Sequence, residues 1–157
     1  IITASTLFFS MLAIREGVVL KPYRDSVGVP TIGIGSTTYE DGTPVRMSDK
    51  PITYDRAVQI AKVHTSKTER LMKQPIANVA LYQHEYDAYL DFVYQFGLGN
   101  WRTSSMVRFL NKGDYVSACR SMLQYYRAKN RNCKIRSNNC IGVWTRQVER
   151  VNKCLGG

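Results

Sequence analysis

The chain has 157 residues, and 44% of them are apolar. This length suits one compact unit of one or two lobes, and the apolar fraction is high enough for a core, which excludes a disordered chain. No apolar run reaches the ~18–20 residues that a membrane-spanning helix needs, and the formal net charge of +10 points to partners that carry negative charge.

The N-terminal residues predict a helix from about Thr6 to Glu16. Ser5 or Thr6 can cap its start, and Gly17 is a natural stop. The apolar face of this helix is expected to hold Leu7, Phe8, Met11, Leu12 and Ala13. Because residues 1–14 carry no charge, the remnant of a signal or of a membrane anchor is the alternative interpretation. Whether such a segment precedes Ile1 stays open.

The next segment places two carboxylates and a hydroxyl close together along the chain. Residues 19–36 are rich in Val, Ile, Tyr and Gly and predict a β-hairpin or small sheet. Glu16 ends the preceding helix, Asp25 falls at the hairpin turn, and Thr31 opens the returning strand. Two carboxylates on different elements, with a hydroxyl beside one of them, can carry out acid/base chemistry on a glycosidic bond. An ordinary helix end and a turn aspartate are the alternative.

Helices are predicted for most of the remaining chain. A polar loop over residues 37–51 leads to a long helix over residues 53–74, which Thr53 can cap and Pro75 stops. A core helix over residues 82–96 is broken by Gly97 and Gly99, and its buried face is expected to hold Tyr82, Tyr86, Tyr89, Leu90, Val93 and Phe96. Helices over residues 104–111, 114–127 and 143–155 follow, with a basic loop over residues 129–139.

The cysteines indicate disulfides. All four lie after residue 100 and show no metal-ligand spacing, so no metal site is expected, and His64 and His84 are interpreted as ordinary helix residues. Four free thiols in a cytosolic protein are the alternative to an oxidising compartment. Of the three possible pairings we favour Cys119–Cys154, which would staple two helices, and Cys133–Cys140, which would close the basic loop.

The excess of positive over negative charge lies in the last third of the chain. Residues 1–100 hold equal numbers of basic and acidic residues, whereas residues 101–157 hold twelve Lys or Arg and two acids, Asp114 and Glu149. Such a face attracts polyanions, among them cell-wall polymers, lipopolysaccharide, anionic lipid and nucleic acid. A solvated face that keeps the protein soluble is the alternative.

Three motifs follow one another in the first 36 residues: Glu16-Gly17, Tyr23-Arg24-Asp25 and Thr31-Ile32-Gly33-Ile34-Gly35. Their order and spacing resemble the catalytic segment of the phage-type lysozymes, the endolysins of glycoside hydrolase family 24, which read E-G, Y-x-D and T-I-G-x-G. Residues 87–97 and 99–105 are similar to that family's central core helix with its cleft turn and to the segment after it. The resemblance covers nearly the whole chain.

The resemblance implies an α+β, lysozyme-like fold in a single catalytic domain over residues 1–157. A small α/β lobe of about residues 17–52 would be joined by the helix over residues 53–74 to a mostly helical lobe of residues 75–157 plus the N-terminal helix. The implied activity is that of a muramidase, which hydrolyses the β-1,4 bond between N-acetylmuramic acid and N-acetylglucosamine in peptidoglycan. We expect a monomer in the bacterial host periplasm or cell wall, with no cofactor, no metal and no nucleic acid as functional partner.

The resemblance also implies roles for single residues. Glu16 would be the general acid, with a pKa raised by a partly apolar cleft. Asp25 would stay ionised and would stabilise the oxocarbenium-like state or activate a water that Thr31 holds. The family inverts the anomeric centre, which requires carboxyl groups roughly 6.5–9.5 Å apart. The expected sugar contacts are Gly33, Gly35, Gln95 and Ser104.

Two other functions and one departure from the family stay open. A lytic transglycosylase would use one carboxylate, and the presence of Asp25 and Thr31 argues against it. A non-catalytic wall-binding module would explain the charge but not the grouping of Glu16, Asp25 and Thr31.

Relatives carry two adjacent arginines with a glutamate three positions on, whereas this chain has Arg146-Gln147 and Glu149. We expect a plain intrahelical Arg146–Glu149 pair here.

Overall fold

A computed structural model describes residues 2–157 of the chain. Its helices are α1 (Thr6–Glu16), α2 (Tyr54–Lys73), α3 (Gln83–Arg102), α4 (Ser105–Asn111), α5 (Tyr115–Ser121) and α6 (Ile141–Cys154). Two antiparallel hairpins pair β1 (Val19–Arg24) with β2 (Pro30–Gly33) and β3 (Arg127–Ala128) with β4 (Arg131–Asn132). No helix within residues 2–157 is both long and apolar enough to cross a membrane.

The chain forms two compact units. One is Ala4–Glu69, and the other is Arg70–Gly157 together with the residues before Ala4. The first helix therefore groups with the first hairpin, whereas the sequence assigned it to the helical lobe. The division into lobes around a connecting helix, and the single catalytic domain, stay predictions.

Helix α1 has the predicted bounds because both of its ends are capped locally. The Ser5 side chain accepts a hydrogen bond from the Phe8 amide at 3.0 Å, and Gly17, with φ of 75°, ends the helix. The buried residues are Phe8, Phe9, Leu12 and Ala13. The prediction that Leu7 and Met11 share the buried face is wrong, since both are exposed together with Ile14. The helix is apolar on two faces, and packing selects one of them.

The first hairpin packs closely on α2 through a residue without a side chain. Gly33 ends β2 with φ of 68°, and a Cβ built there would lie 3.2 Å from the Cβ of Ala57 on α2. Ala57 is fully buried. The missing side chain at Gly33 therefore serves the contact between strand and helix, which positions the turn that carries Asp25.

The loop over residues 37–51 is closed by hydrogen bonds. Thr38 forms an isolated β-bridge with Pro44, and the Tyr39 hydroxyl donates to Oδ2 of Asp49 at 2.7 Å. Burial and this hydrogen bond raise the pKa of Tyr39 to about 12. The phenol therefore stays protonated at neutral pH and keeps donating to Asp49.

Helix α3 supplies the core of the second unit. Its buried side chains include Tyr86, Tyr89, Leu90, Phe92 and Val93. The predicted break occurs at Gly97, whose φ of 88° and ψ of 161° interrupt the helix, but Gly99 does not break it. The expected burial of Tyr82 is wrong: it is 75% exposed, because it precedes the first turn and lies outside the helical repeat.

The C-terminal segment is more ordered than the sequence predicted. Helix α5 ends at Ser121 rather than near residue 127, and the expected basic loop contains the hairpin β3–β4. Lys129 and Asn130 form its two-residue turn with φ of 48° and 66°, the left-handed values that tight hairpin turns require. Disulfides join Cys119 to Cys154 and Cys133 to Cys140, the pairs favoured from the sequence.

Replacing Gly33 by alanine should destabilise the protein more than the same change at Gly42. Both glycines have positive φ, but nothing lies within 4 Å of a Cβ built at Gly42. The left-handed backbone alone costs about 1–2 kcal/mol in each variant, and only the Gly33 variant must also push Ala57 away. Urea unfolding of both variants measures the difference. Equal losses would show that the strand–helix contact does not need glycine.

The two disulfides should differ in their contribution to stability. Cys119–Cys154 closes 35 residues and Cys133–Cys140 closes 7, so loop-closure entropy gives roughly 4 and roughly 2 kcal/mol. The double alanine variant of the first pair should lose more free energy of unfolding than that of the second. Thiol titration of the native, unreduced protein should find no free cysteine, and a finding of four thiols would contradict both bridges.

Candidate active site

Glu16 presents a carboxylate that nothing in its surroundings holds. It is the last residue of α1 and is exposed, and within residues 2–157 no side chain or backbone group pairs with its carboxylate. The sequence expected a partly apolar environment for this group, and its exposure in the structure corrects that expectation. A carboxyl in this position is accessible to a ligand on its open side.

Gly35 leaves room beside that carboxylate. It is exposed, has φ of 67°, and a Cβ built there would lie 3.7 Å from Oε2 of Glu16. A Cβ there would be in ordinary van der Waals contact with the carboxylate, and the positive φ is one that side-chain-bearing residues rarely adopt. Gly33 differs from it, because Gly33 is buried and faces α2. Of the two glycines expected near a sugar, the structure brings Gly35 to Glu16 and assigns Gly33 to packing.

Asp25 is held rigidly by the hairpin turn. Its Oδ1 accepts hydrogen bonds from the amides of Val27 at 3.0 Å and Val29 at 2.9 Å. Its own amide donates to the Val29 carbonyl, and Gly28 closes the turn onto the Asp25 carbonyl. Among the residues that the structure describes, none bonds to Oδ2. One oxygen therefore fixes the orientation and the other is free for chemistry.

Thr31 is tied to the same turn. It is 2% exposed, and its hydroxyl donates to the carbonyl oxygen of Val29 at 2.8 Å. It lies opposite Tyr23 in the hairpin register. The peptide groups of Val29 thus bind both Asp25 and Thr31. Because the hydroxyl proton is already donated, Oγ1 can act towards a further group only as an acceptor.

The two remaining candidate sugar contacts lie in the second unit. The Ser104 hydroxyl caps α4 by accepting from the Val107 amide, and it donates to the Trp101 carbonyl at 2.7 Å. Ser104 is 2% exposed and its hydroxyl is used within the fold, and a direct sugar contact stays a prediction. Gln95 is half-buried, and its Oε1 accepts from Arg150 at 2.6 Å, which leaves its amide group as a donor.

A buried arginine network was missed by the sequence interpretation. Arg150 is 3% exposed and donates through Nε to Oδ2 of Asp91 at 2.9 Å, and through its terminal nitrogens to Gln95 and Gln147. Asp91 and Gln95 are four residues apart on α3, as are Arg146 and Arg150 on α6, so each pair shares a helix face. This four-residue spacing was the sequence feature from which the network could have been predicted.

Arg146 joins this network instead of pairing within its helix. Its Nη2 donates to Oδ1 of Asp91 at 3.3 Å, so the expected Arg146–Glu149 pair is wrong. Glu149 is exposed, and an exposed pair within one helix contributes only about 0.3–0.5 kcal/mol. The partly buried Asp91 carboxylate is screened less by water and therefore attracts Arg146 more strongly.

No cluster of potential metal ligands occurs within residues 2–157. The site itself offers an accessible carboxyl at Glu16, an oriented carboxylate at Asp25 and an acceptor at Thr31. All three lie in the Ala4–Glu69 unit.

Comparison with known proteins identifies relatives of the whole chain. The family model described as phage lysozyme matches residues 13–146. The endolysin of Salmonella phage P22 is 33% identical over 114 residues, which cover 73% of this chain and 77% of that protein. The SAR-endolysin of bacteriophage PS119 is 32% identical over 143 residues, which cover 90% of this chain and 77% of that protein.

A crystal structure of a mutant P22 lysozyme has the same fold, with a TM-score of 0.80 at 26% identity over 99% of both chains. This similarity confirms the α+β, lysozyme-like fold expected from the sequence. The family model covers most of the chain, and both relatives exceed 30% identity. The chain therefore belongs to the phage lysozyme family and is an enzyme of the lysozyme type.

Proposed function

We propose that this enzyme is an endolysin muramidase. It hydrolyses the β-1,4 bond between N-acetylmuramic acid and N-acetylglucosamine in peptidoglycan and so lyses the bacterial host. The observation that carries this proposal is the pair of carboxylates on separate elements. Glu16 is exposed and without a partner, and Asp25 is locked by two amides with Oδ2 free. The pairing of an accessible acid with an oriented base suits glycoside hydrolysis.

Glu16 acts as the general acid. Its proton passes to the glycosidic oxygen as the bond from that oxygen to the anomeric carbon breaks. Gly35 leaves space for the glycan beside Oε2 of Glu16. Since Glu16 is exposed in the free protein, it is the bound glycan that excludes water from the carboxyl.

Asp25 and Thr31 bind and orient the water that attacks the anomeric carbon. A water donates one proton to the free Oδ2 of Asp25 and the other to Oγ1 of Thr31, whose own proton is held by Val29. Both protons are thereby turned away from the sugar, and an oxygen lone pair faces the anomeric carbon. As the oxygen–carbon bond forms, Asp25 takes the proton, and its charge stabilises the oxocarbenium-like state. Attack from the face opposite the leaving group inverts the anomeric centre.

The enzyme works as a monomer in the periplasm or at the cell wall of the host. Two disulfides within one chain support an oxidising compartment. The residues of the acid/base site lie in one unit of one chain, so the reaction needs no second copy. Peptidoglycan is the substrate, and no cofactor takes part.

The basic C-terminal third supports adsorption to an anionic envelope. No acidic residue occurs between Asp114 and Glu149. The second hairpin and the disulfide loop after it carry five exposed cations: Arg127, Lys129, Arg131, Lys134 and Arg136. Exposed charges of one sign, clustered on a hairpin and on the disulfide-closed loop after it, attract wall polymers or anionic lipids.

The variant Glu16→Gln should lose wall lysis while keeping its fold. Glutamine has the same shape but cannot deliver a proton, and general acid catalysis contributes roughly 10²–10⁴-fold. Because Glu16 is exposed and unpaired, the free energy of unfolding should stay unchanged. Turbidity loss of permeabilised Gram-negative cells measures activity, with circular dichroism for the fold. Glu149→Gln, a change at an exposed glutamate of α6, is the matched control.

Companion variants separate the roles in the same assay. Asp25→Asn should also damage activity, because the water loses its proton acceptor, whereas Thr31→Ala should be milder if Asp25 alone can hold the water. Mass spectrometry of the released fragments should show hydrolysed reducing ends, and anhydro-sugar ends would indicate a lytic transglycosylase. A folded Glu16→Gln protein that clears cells at the wild-type rate would refute the assignment of the acid.

Adsorption to cell walls should weaken steeply with added salt. The cations of the second hairpin are exposed, and such charges are screened over about 8 Å at physiological ionic strength. Pull-down on isolated, non-hydrolysed walls or anionic vesicles, using Glu16→Gln to prevent digestion, measures the bound fraction against NaCl concentration. Adsorption that does not change with salt would show that the charge serves solubility alone.

A further inference from the structure

A cavity opens in the Arg70–Gly157 unit. It has a volume of about 490 Å³ and is lined by Ala80, Leu81, Tyr82, Glu85 and Tyr115, which come from the segment before α3, the first turn of α3 and the start of α5. This volume is in the range of sites that bind small ligands. None of the residues assigned to acid/base chemistry lines it, and nothing in the proposed reaction uses it.

Glu85 gives this cavity an unusual electrostatic character. The residue is 5% exposed, and its Oε1 accepts from the Tyr82 amide at 2.8 Å. No cation within residues 2–157 pairs with Glu85, and its Oε2 has no hydrogen-bond partner among them. Oε2 is accessible to solvent and therefore to a ligand. In a chain of net charge +10, this carboxylate is therefore a local site for a positively charged ligand.

The two tyrosines add aromatic faces to the carboxylate. Tyr82 is 75% exposed, and Tyr115 is 36% exposed. The Tyr82 ring stacks on His84 with centroids 5.6 Å apart and planes at 12°, so one face is supported and the ring is held in place while its other side stays open. Aromatic faces attract ammonium groups, and the ring quadrupole and the Glu85 carboxylate favour the same charge.

We propose that this cavity binds a primary ammonium group carried by a peptide. The ammonium donates to Oε2 of Glu85, and the alkyl chain that bears it lies against Tyr82, Tyr115 and the apolar side chains of Ala80 and Leu81. The stem peptides of peptidoglycan carry free amines of this kind. The source of the ligand thus rests on the proposed function, and the cavity would add recognition of the peptide to recognition of the glycan.

The test is a titration of the full-length protein followed by ¹H–¹⁵N NMR. The probe is Nα-acetyl-lysine-N-methylamide, which carries one ammonium. Its Nε-acetylated form, which is neutral, and the disaccharide of N-acetylglucosamine are the comparison ligands. We expect saturable shifts at Tyr82, Glu85 and Tyr115 with the charged probe and none with the neutral one.

Two variants and one control localise the binding. Glu85→Gln keeps an oxygen for the Tyr82 amide, as helix-capping glutamines do, but removes the charge, and should raise Kd for the probe about tenfold or more. Tyr82→Ala changes an exposed ring and should raise Kd about two- to fivefold. Tyr54→Ala, at a half-exposed tyrosine in the Ala4–Glu69 unit, should change nothing.

Several outcomes would overturn the proposal. Equal shifts with the neutral probe, an unchanged Kd in Glu85→Gln, or shifts at these residues with the disaccharide alone would exclude an ammonium site. Hydrolysis is judged separately, from cleavage of peptide-free glycan strands by the unsubstituted protein. Cleavage without probe binding refutes this inference and leaves the muramidase intact, whereas probe binding without cleavage refutes the muramidase.

Discussion

The peptide groups of Val29 hold together the turn on which the proposed chemistry depends. The Val29 amide donates to Oδ1 of Asp25, and its carbonyl accepts from both the Asp25 amide and the Thr31 hydroxyl. These bonds, together with the one from the Val27 amide to Oδ1, orient the carboxylate and the hydroxyl from within the hairpin. Such local bonds leave little rotamer freedom to be lost when substrate binds, which is the physical basis of preorganisation.

The hairpin needs a support, and glycine provides it. The approach of β2 to α2 at Gly33 is so close that a Cβ there would lie 3.2 Å from the Cβ of Ala57, so the strand lies against Ala57 without an intervening side chain. Two positions on, Gly35 has a similar backbone conformation but faces Glu16. The two glycines of this motif therefore have different roles. Gly33 allows the hairpin to pack closely on α2, and Gly35 leaves space beside the Glu16 carboxylate.

The second unit manages charge in a different way. Arg150 is buried, but each of its three guanidinium nitrogens donates a hydrogen bond, to Asp91, Gln95 and Gln147. A buried charge that is fully bonded in this manner specifies how α3 and α6 face each other, because losing one partner would strand the rest. Glu85 contrasts with it, since a carboxylate of similar burial keeps one oxygen unbonded.

Local features of the sequence determined the main elements of the fold. Ser5 and Gly17 set the bounds of α1, Gly97 broke α3, and the hairpin placed Asp25 at its turn, because caps and turns are satisfied by groups within about four residues. The motif that contains Glu16, Asp25 and Thr31 was recognised by its resemblance to a known family, and the acid/base roles of these residues are proposals. The cysteine pairs followed from the spacing of the predicted helices and loop.

Only the tertiary structure decided which groups meet across the chain. It chose the buried face of α1 over the face of Leu7 and Met11 and paired Arg146 with Asp91, 55 residues away. It also turned Gly33 towards Ala57 and used the hydroxyl of Ser104 as a cap. These outcomes depend on burial and on distant partners. The two apolar faces of a helix, or the two possible acidic partners of an arginine, cannot be told apart from the local sequence. Packing decides between them, because it makes one arrangement lower in free energy.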